Sequence, residues 1–154
     1  MKIFIGYEPR ETNAYLVARA SIRRYWPNAY IRPVILHHLR ENGLYYRETQ
    51  NRNGVMYDVI SDAPMSTEFA ISRFLVPTLA DSGWALFMDC DMLVRTDLRR
   101  LIGLADTSKA IMCVKHEHVP TGIFKMDAQI QIRYDRKNWS SVMLFNCDHP
   151  ANRK

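Results

Sequence analysis

The run Trp84-Ala85-Leu86-Phe87-Met88-Asp89-Cys90-Asp91-Met92-Leu93-Val94 constrains the fold more than any other part of the chain. Five consecutive apolar residues follow Gly83, where a half-exposed strand would alternate apolar with polar, so the segment predicts a central strand covered on both faces. It ends in two carboxylates one residue apart. If the chain stays extended there, Asp89 and Asp91 point the same way, with Cα atoms about 6.5–7 Å apart, and Cys90 points away. Two neighbouring carboxylates repel unless one is protonated or a cation sits between them, and ionised Asp suits a divalent ion with oxygen ligands. Open α/β sheets bind ligands just beyond the carboxyl ends of their strands, which is where this pair would lie. The residues alone leave open the plainer reading, in which both aspartates only solvate a strand end.

A chain of 154 residues is expected to form one domain, 1–154, and to bury roughly 68–70% of its unfolded surface. Apolar content of 47% with 24% charged residues is ordinary globular composition. No apolar stretch reaches 18 residues, so no transmembrane segment is expected. The start, Met1-Lys2-Ile3-Phe4-Ile5-Gly6, reads as a first strand and not as a signal peptide. Three cysteines, Cys90, Cys113 and Cys147, stand far apart and in or beside predicted strands, which suggests reduced, mostly buried thiols and a cytoplasmic setting. The net charge of +5 is spread along the chain. That argues against a nucleic-acid partner and for a solvated basic surface suited to anionic substrates or membrane-proximal acceptors.

Strand and helix patterns alternate along the sequence, which favours an α/β layer architecture with a mostly parallel sheet. After a strand over Lys2 to Gly6, Thr12 or Asn13 can cap a helix with the apolar stripe Tyr15, Ala18, Ile22, Tyr25, closed by Trp26-Pro27-Asn28. Ile31 to His37 reads as a second strand. Leu39 to Tyr57, rich in Asn and Arg with weak periodicity, reads mostly as loop. Ser66 caps a helix carrying Ile71, Leu75 and Leu79, which Pro77 kinks or ends near Val76. Asp97 to Ile102 predicts a short helix with an Asp cap, and Ala110 to Lys115 and Ser141 to Asn146 predict strands. Within Val119 to Asn138, the alternation Ile130, Ile132, Tyr134 hints at an edge strand.

Taken in order, Gly6-Tyr7 after the first strand, Arg73 on the helix before the aspartate strand, Phe87-Met88-Asp89-Cys90-Asp91, and Trp139-Ser140-Ser141-Val142-Met143-Leu144-Phe145-Asn146 resemble the nucleotide-diphospho-sugar glycosyltransferases of the GT-A fold. The likeness is to family-8-like bacterial and phage members and runs over nearly the whole chain. It implies a Rossmann-like fold with a mostly parallel central sheet flanked by helices. It also implies metal-dependent transfer of a hexose from a nucleotide-diphosphate sugar, in particular a UDP-sugar, to a hydroxyl of a saccharide or glycolipid acceptor. Asp89 and Asp91 match the carboxylates that hold Mn²⁺ or Mg²⁺ against the diphosphate, whose departure builds negative charge. Tyr7 matches a contact to the base, and Arg73 a cation near the donor, where a guanidinium grips phosphate at two points. Trp139, Ser140, Ser141 and Asn146 match the segment lining the sugar and acceptor side. Each of these residues has a plainer reading: a core tyrosine, a core tryptophan, or an arginine paired with an acid such as Glu68.

His116-Glu117-His118 follows a predicted strand and offers a possible metal pair, with a polar loop as the alternative. His37 and His38, adjacent on a strand, would point to opposite faces. In the family resembled, the chain continues well past the region matching Asn146 and supplies a third metal ligand and much of the acceptor site. The resemblance therefore implies that this chain lacks a carboxyl-terminal portion, transfers sugar poorly or not at all while still recognising nucleotide, and exposes apolar surface around Val142, Leu144 or Phe145 that invites self-association or aggregation. Two other readings stand beside it. One is a nucleotide-sugar-binding remnant without catalysis. The other is a haloacid-dehalogenase-type phosphohydrolase, which normally carries its aspartate pair on the first strand. No residue is singled out as a base or nucleophile.

Overall fold

The computed structural model of the protein describes residues 1–115 and 139–153. Its core is a five-stranded sheet in the order β2-β1-β6-β8-β7. Strand β1 is Lys2–Gly6 and β6 is Trp84–Met88; they lie side by side and parallel, with Lys2 opposite Ala85 and Ile5 opposite Met88. Both are apolar runs without alternation, and Ile3, Phe4, Ile5, Ala85, Leu86, Phe87 and Met88 are all buried, as strands covered on two faces require. Strand β2 (Ile31–Val34) adds parallel to the outer edge of β1. Strand β8 (Val142–Asn146) runs antiparallel to β6, and β7 (Ile111–Cys113) antiparallel to β8. Four of the five strands therefore point the same way, and β8 alone is reversed.

Helix α1 (Thr12–Tyr25) lays Tyr15, Ala18, Ser21 and Ile22 on the core, a helical spacing that leaves the opposite face to solvent. Tyr25 is exposed, and Glu11, whose side chain makes no capping hydrogen bond, occupies the cap position expected of Thr12 or Asn13. The second predicted helix is broken in three: α3 (Phe69–Ser72), a 3-10 turn over Arg73–Leu75, and α4 (Val76–Ala80). Pro77 explains the break, because its ring would collide with the carbonyl four residues earlier in a continuous α-helix. Ser66 does not cap it; Glu68 stands at that position. The Asp97 cap is as expected, its carboxylate accepting from the Arg99 N–H at 2.9 Å, ahead of a 3-10 helix over Leu98–Leu104.

Three expectations need correction. The second strand ends at Val34, and α2 (Leu36–Glu41) begins where strand was expected, burying Leu36 and Leu39. His37 and His38 accordingly sit exposed on a helix, with His37 Nε2 3.1 Å from Glu41 Oε1. The supposed loop contains β3 (Thr49–Arg52) and β4 (Val55–Asp58), which with β5 (Ala63–Met65) form a separate antiparallel sheet. Asn53 (φ 54°) and Gly54 (φ 85°) make its first turn, a two-residue connection with both residues left-handed. Apolar periodicity is silent there because charge holds the unit together: the buried Asp58 meets Arg47 Nε at 2.8 Å and the Ser61 N–H at 2.7 Å. Finally, Leu144 and Phe145 are buried and Val142 half-buried, so they form no exposed apolar patch. His116, Glu117, His118 and the possible edge strand within Val119 to Asn138 lie outside the described residues.

Candidate functional site

Asp89 leaves β6 at its carboxyl end, and its N–H donates to the Ser141 carbonyl at 2.9 Å, extending the β6–β8 pairing by one step. Asp89 lies one residue past β6 and Asp91 in the turn that follows, and they differ sharply in environment. The Asp89 side chain is 19% exposed, whereas Asp91 is solvent-exposed. Burial lifts the Asp89 carboxyl to about 6, with Arg73 and a hydrogen bond from Ser141 pulling it down and the Asp91 charge pushing it up. The last effect places the two carboxylates within electrostatic reach of each other. Between them Cys90 points into the core. Its thiol donates to Glu11 Oε2 at 3.2 Å and is pushed up to about 12, by burial first and then by Glu11. Ser21 ties down the chain beyond the pair by accepting from the Val94 N–H at 3.0 Å.

Arg73 is 7% exposed and fully engaged. Nη1 lies 3.0 Å from Asp89 Oδ1 and donates to the Ser140 carbonyl at 2.8 Å, while Nε donates to the Phe69 carbonyl at 3.2 Å. Its guanidinium lies against two aromatic rings, 5.0 Å from the Phe87 centroid and 5.2 Å from that of Phe69. Its acidic partner is thus Asp89, not Glu68. The close fit extends to β1: a Cβ on Gly6 would fall 2.5 Å from the Phe69 ring, so glycine is what lets α3 approach the sheet.

Trp139, Ser140 and Ser141 form a 3-10 turn leading into β8 at the aspartate end, with Lys115 Nζ 5.7 Å from the Trp139 ring centroid. Asn146 is not part of this group. Because β8 is reversed, Asn146 pairs with Trp84 at the far end of β6, and its side chain donates to the Thr107 carbonyl at 3.1 Å. Tyr7 sits at the near end, half-buried, with its ring edge-on to Tyr15 at 5.5 Å and its hydroxyl 3.0 Å from Thr12 Oγ1. The structure therefore brings together Arg73, Asp89, Asp91, Ser140 and Ser141, with Trp139 and Tyr7 on the same end of the sheet.

The sequence reading missed Glu8 and Glu11. Glu8 is 4% exposed; its carboxylate accepts from Arg10 Nε at 2.8 Å and from the Glu68 N–H at 3.0 Å, clasping the end of β1 to the start of α3. It walls a cavity of about 550 Å³ whose other sides include Arg10, Asn53, Met56, Met65 and Thr67. None of the Arg73–Asp89 group lines that cavity. An acid immediately after a buried strand, in Gly6-Tyr7-Glu8, was the available signal.

No protein-family model matches the chain. It is 46% identical to Protein CDI of Arabidopsis thaliana over 154 residues, covering 99% of this chain and 55% of that protein, so it spans about half the length of this relative. Its fold resembles the crystal structure of the galactosyltransferase LgtC in complex with donor and acceptor sugar analogs, with a TM-score of 0.57 and 17% identity over 100% of this chain and 60% of that one. An active-site mutant of LgtC matches equally, with a TM-score of 0.57. The α/β sheet described above thus has the GT-A arrangement of LgtC.

Proposed function

We propose that the chain binds a nucleotide-diphosphate sugar, a UDP-sugar, and belongs to a glycosyltransferase that moves a hexose to a saccharide or glycolipid hydroxyl. The observation that carries this reading is one buried carboxylate, Asp89, locked by Arg73 and Ser141, beside one exposed carboxylate, Asp91, at the carboxyl end of a central strand. A phosphohydrolase of the haloacid dehalogenase type fits less well, because the pair follows β6 and not the first strand.

A divalent ion, Mn²⁺ or Mg²⁺, fits the donor set. Asp carboxylates are the hard oxygen ligands such ions take, and Asp89 Oδ1, buried and 3.0 Å from Arg73 Nη1, makes no aligned hydrogen bond among the described residues. No cluster of three or more His, Cys, Asp or Glu forms a metal site among those residues, so donor phosphate oxygens would complete the shell. When bound, such an ion neutralises charge on the departing diphosphate. In this reading Arg73 is a positioning residue: it holds Asp89 and the Ser140 carbonyl in register. Asp91 reaches the ligand from solvent, Tyr7 offers an aromatic face to the base, and Trp139 a ring to the sugar. Ser140 and Ser141, engaged by Arg73 and Asp89, shape the wall behind them.

Calorimetry with UDP, GDP and ADP, each with and without Mn²⁺, tests the proposal. Mn²⁺-dependent UDP binding is the expected result, and absence of binding to all three nucleotides would overturn it. A second reading, binding without transfer, is favoured by the lack of a third acidic or histidine ligand among the described residues; turnover of a UDP-sugar separates the two.

A further inference from the structure

Helix α1 carries three arginines and no acid along Thr12–Tyr25. Its inward face is used by the core, yet its outward face is not simply polar. Leu16 is 49% and Val17 57% exposed, and Arg19, Ala20, Arg23 and Arg24 are exposed with them. Advancing 100° per residue, Leu16, Ala20 and Val17 form a ridge, with Arg19 and Arg23 along one flank and Arg24 between Ala20 and Val17 further along the helix. Leu16, Arg19, Ala20 and Arg23 line a shallow open groove of about 330 Å³. Among the described residues no carboxylate lies within ion-pair distance of any of the three arginines, although seven of the protein's other basic residues have such partners. Arg23 donates to the Pro27 carbonyl at 3.0 Å and Arg24 lies 5.9 Å from the Tyr25 ring centroid, so neither charge is neutralised, and such cations beside an exposed aliphatic ridge suit a surface that is anionic and has an apolar layer just beneath it.

We propose that this outward face of α1 docks the protein on an anionic lipid bilayer. The arginines would meet lipid phosphates and carboxylates while their stems and the Leu16–Val17 ridge sink to the headgroup boundary. Charge complementarity selects the occupant: basic residues close to an anionic leaflet each gain free energy worth roughly a fivefold change in partitioning. The amino end of α1 lies beside Tyr7 at the carboxyl end of β1, so docking along the helix brings that end of the sheet to the membrane surface. The inference is independent of the transferase reading, since its test measures no nucleotide and no transfer.

The test is co-sedimentation of the purified chain with vesicles of phosphatidylcholine alone and of phosphatidylcholine with phosphatidylserine, at low and high salt. Binding is expected only to the anionic vesicles and is expected to weaken with salt. Arg19→Gln/Arg23→Gln/Arg24→Gln should bind on the order of 100-fold less tightly. Leu16→Asn/Val17→Asn should bind less tightly at unchanged charge. The charge-matched control Arg95→Gln/Arg100→Gln/Lys109→Gln, on exposed positions outside α1, should lose far less, and thermal melts confirm that each variant is folded. No binding to either vesicle, or equal losses for the α1 set and the control set, would overturn the proposal. The first outcome would direct the search to an acidic protein partner.

Discussion

Arg73 Nη1 and Asp89 Oδ1 stand 3.0 Å apart, both largely out of water, with two phenylalanine rings and the Ser140 carbonyl fixing the guanidinium. Removing one member of such a pair strands the other in a poorly solvated site. Arg73→Met should therefore lower stability by about 3–5 kcal/mol in urea unfolding. Burial already lifts Asp89 to about 6, above its ordinary 3.8, so the cost of ionising it is fully present above the folded value and vanishes below the unfolded one. The loss in Arg73→Met should be larger at pH 8 than at pH 5. Adding Asp89→Leu should recover part of it, and additive losses would show that the pair is not coupled.

Gly6→Ala should destabilise through the same packing. The new methyl would sit 2.5 Å from the Phe69 ring, and Phe69, 2% exposed, leans on Phe87 at a centroid distance of 6.1 Å. Overpacking of this kind costs about 1–3 kcal/mol. Phe69→Leu in the same chain should relieve part of the strain, whereas a fully tolerated Gly6→Ala would mean that α3 shifts freely against β1.

Asp58 controls the acid side of the stability curve. Its carboxylate is held well below the usual range by Arg47 first, against the opposing pull of desolvation, with bonds from Ser61 adding to the lowering. A depressed folded value stabilises the protein above the unfolded value near 3.8, and this is lost as pH falls below it. Asp58→Asn should lower stability at pH 7 and flatten the decline between pH 4 and 2 in thermal melts. An unchanged acid limb would place the sensitive carboxylate elsewhere.

Thiol chemistry checks the burial pattern directly. Cys113 is exposed on β7, whereas Cys90 and Cys147 are buried and both are shifted upward by burial. A thiolate reagent at pH 8 should label one cysteine quickly in the folded chain and all three in denaturant. Fast labelling of Cys90 would mean that the turn carrying the aspartates opens readily.

How much of this was written in the sequence depends on which force holds each element. Strands β1 and β6 were legible because both faces are covered, which leaves uninterrupted apolar runs. The small sheet was not, because β3 reads Thr-Gln-Asn-Arg and is secured by ion pairs and by Arg52 stacked 4.6 Å from the Tyr57 ring. The Asn53-Gly54 turn was its one legible mark. Asp89 and Asp91 could be paired from spacing, but nothing in the spacing said that one would be buried and the other exposed. Asn146 was misplaced for a different reason. Composition identifies a strand but not its direction, and a reversed strand of five residues carries its last one about 13 Å from the site.

The sharpest functional prediction concerns Asp91. It is exposed, so Asp91→Ala should leave stability within about 0.5 kcal/mol of the parent. If it reaches a cation shared with the donor diphosphate, losing that charged contact should cost about 1.5–3 kcal/mol of binding, roughly 10- to 100-fold in the Kd for UDP in the presence of Mn²⁺. In the absence of the ion the parent and variant should bind UDP alike, because the carboxylate then has nothing to bridge to the phosphates. Asp91→Asn, which keeps the shape and one oxygen, should fall between them. Calorimetric titrations at fixed pH with and without Mn²⁺ read all three proteins. An unchanged Mn²⁺ dependence in Asp91→Ala would remove Asp91 from the site and leave Asp89 as the partner of Arg73 alone.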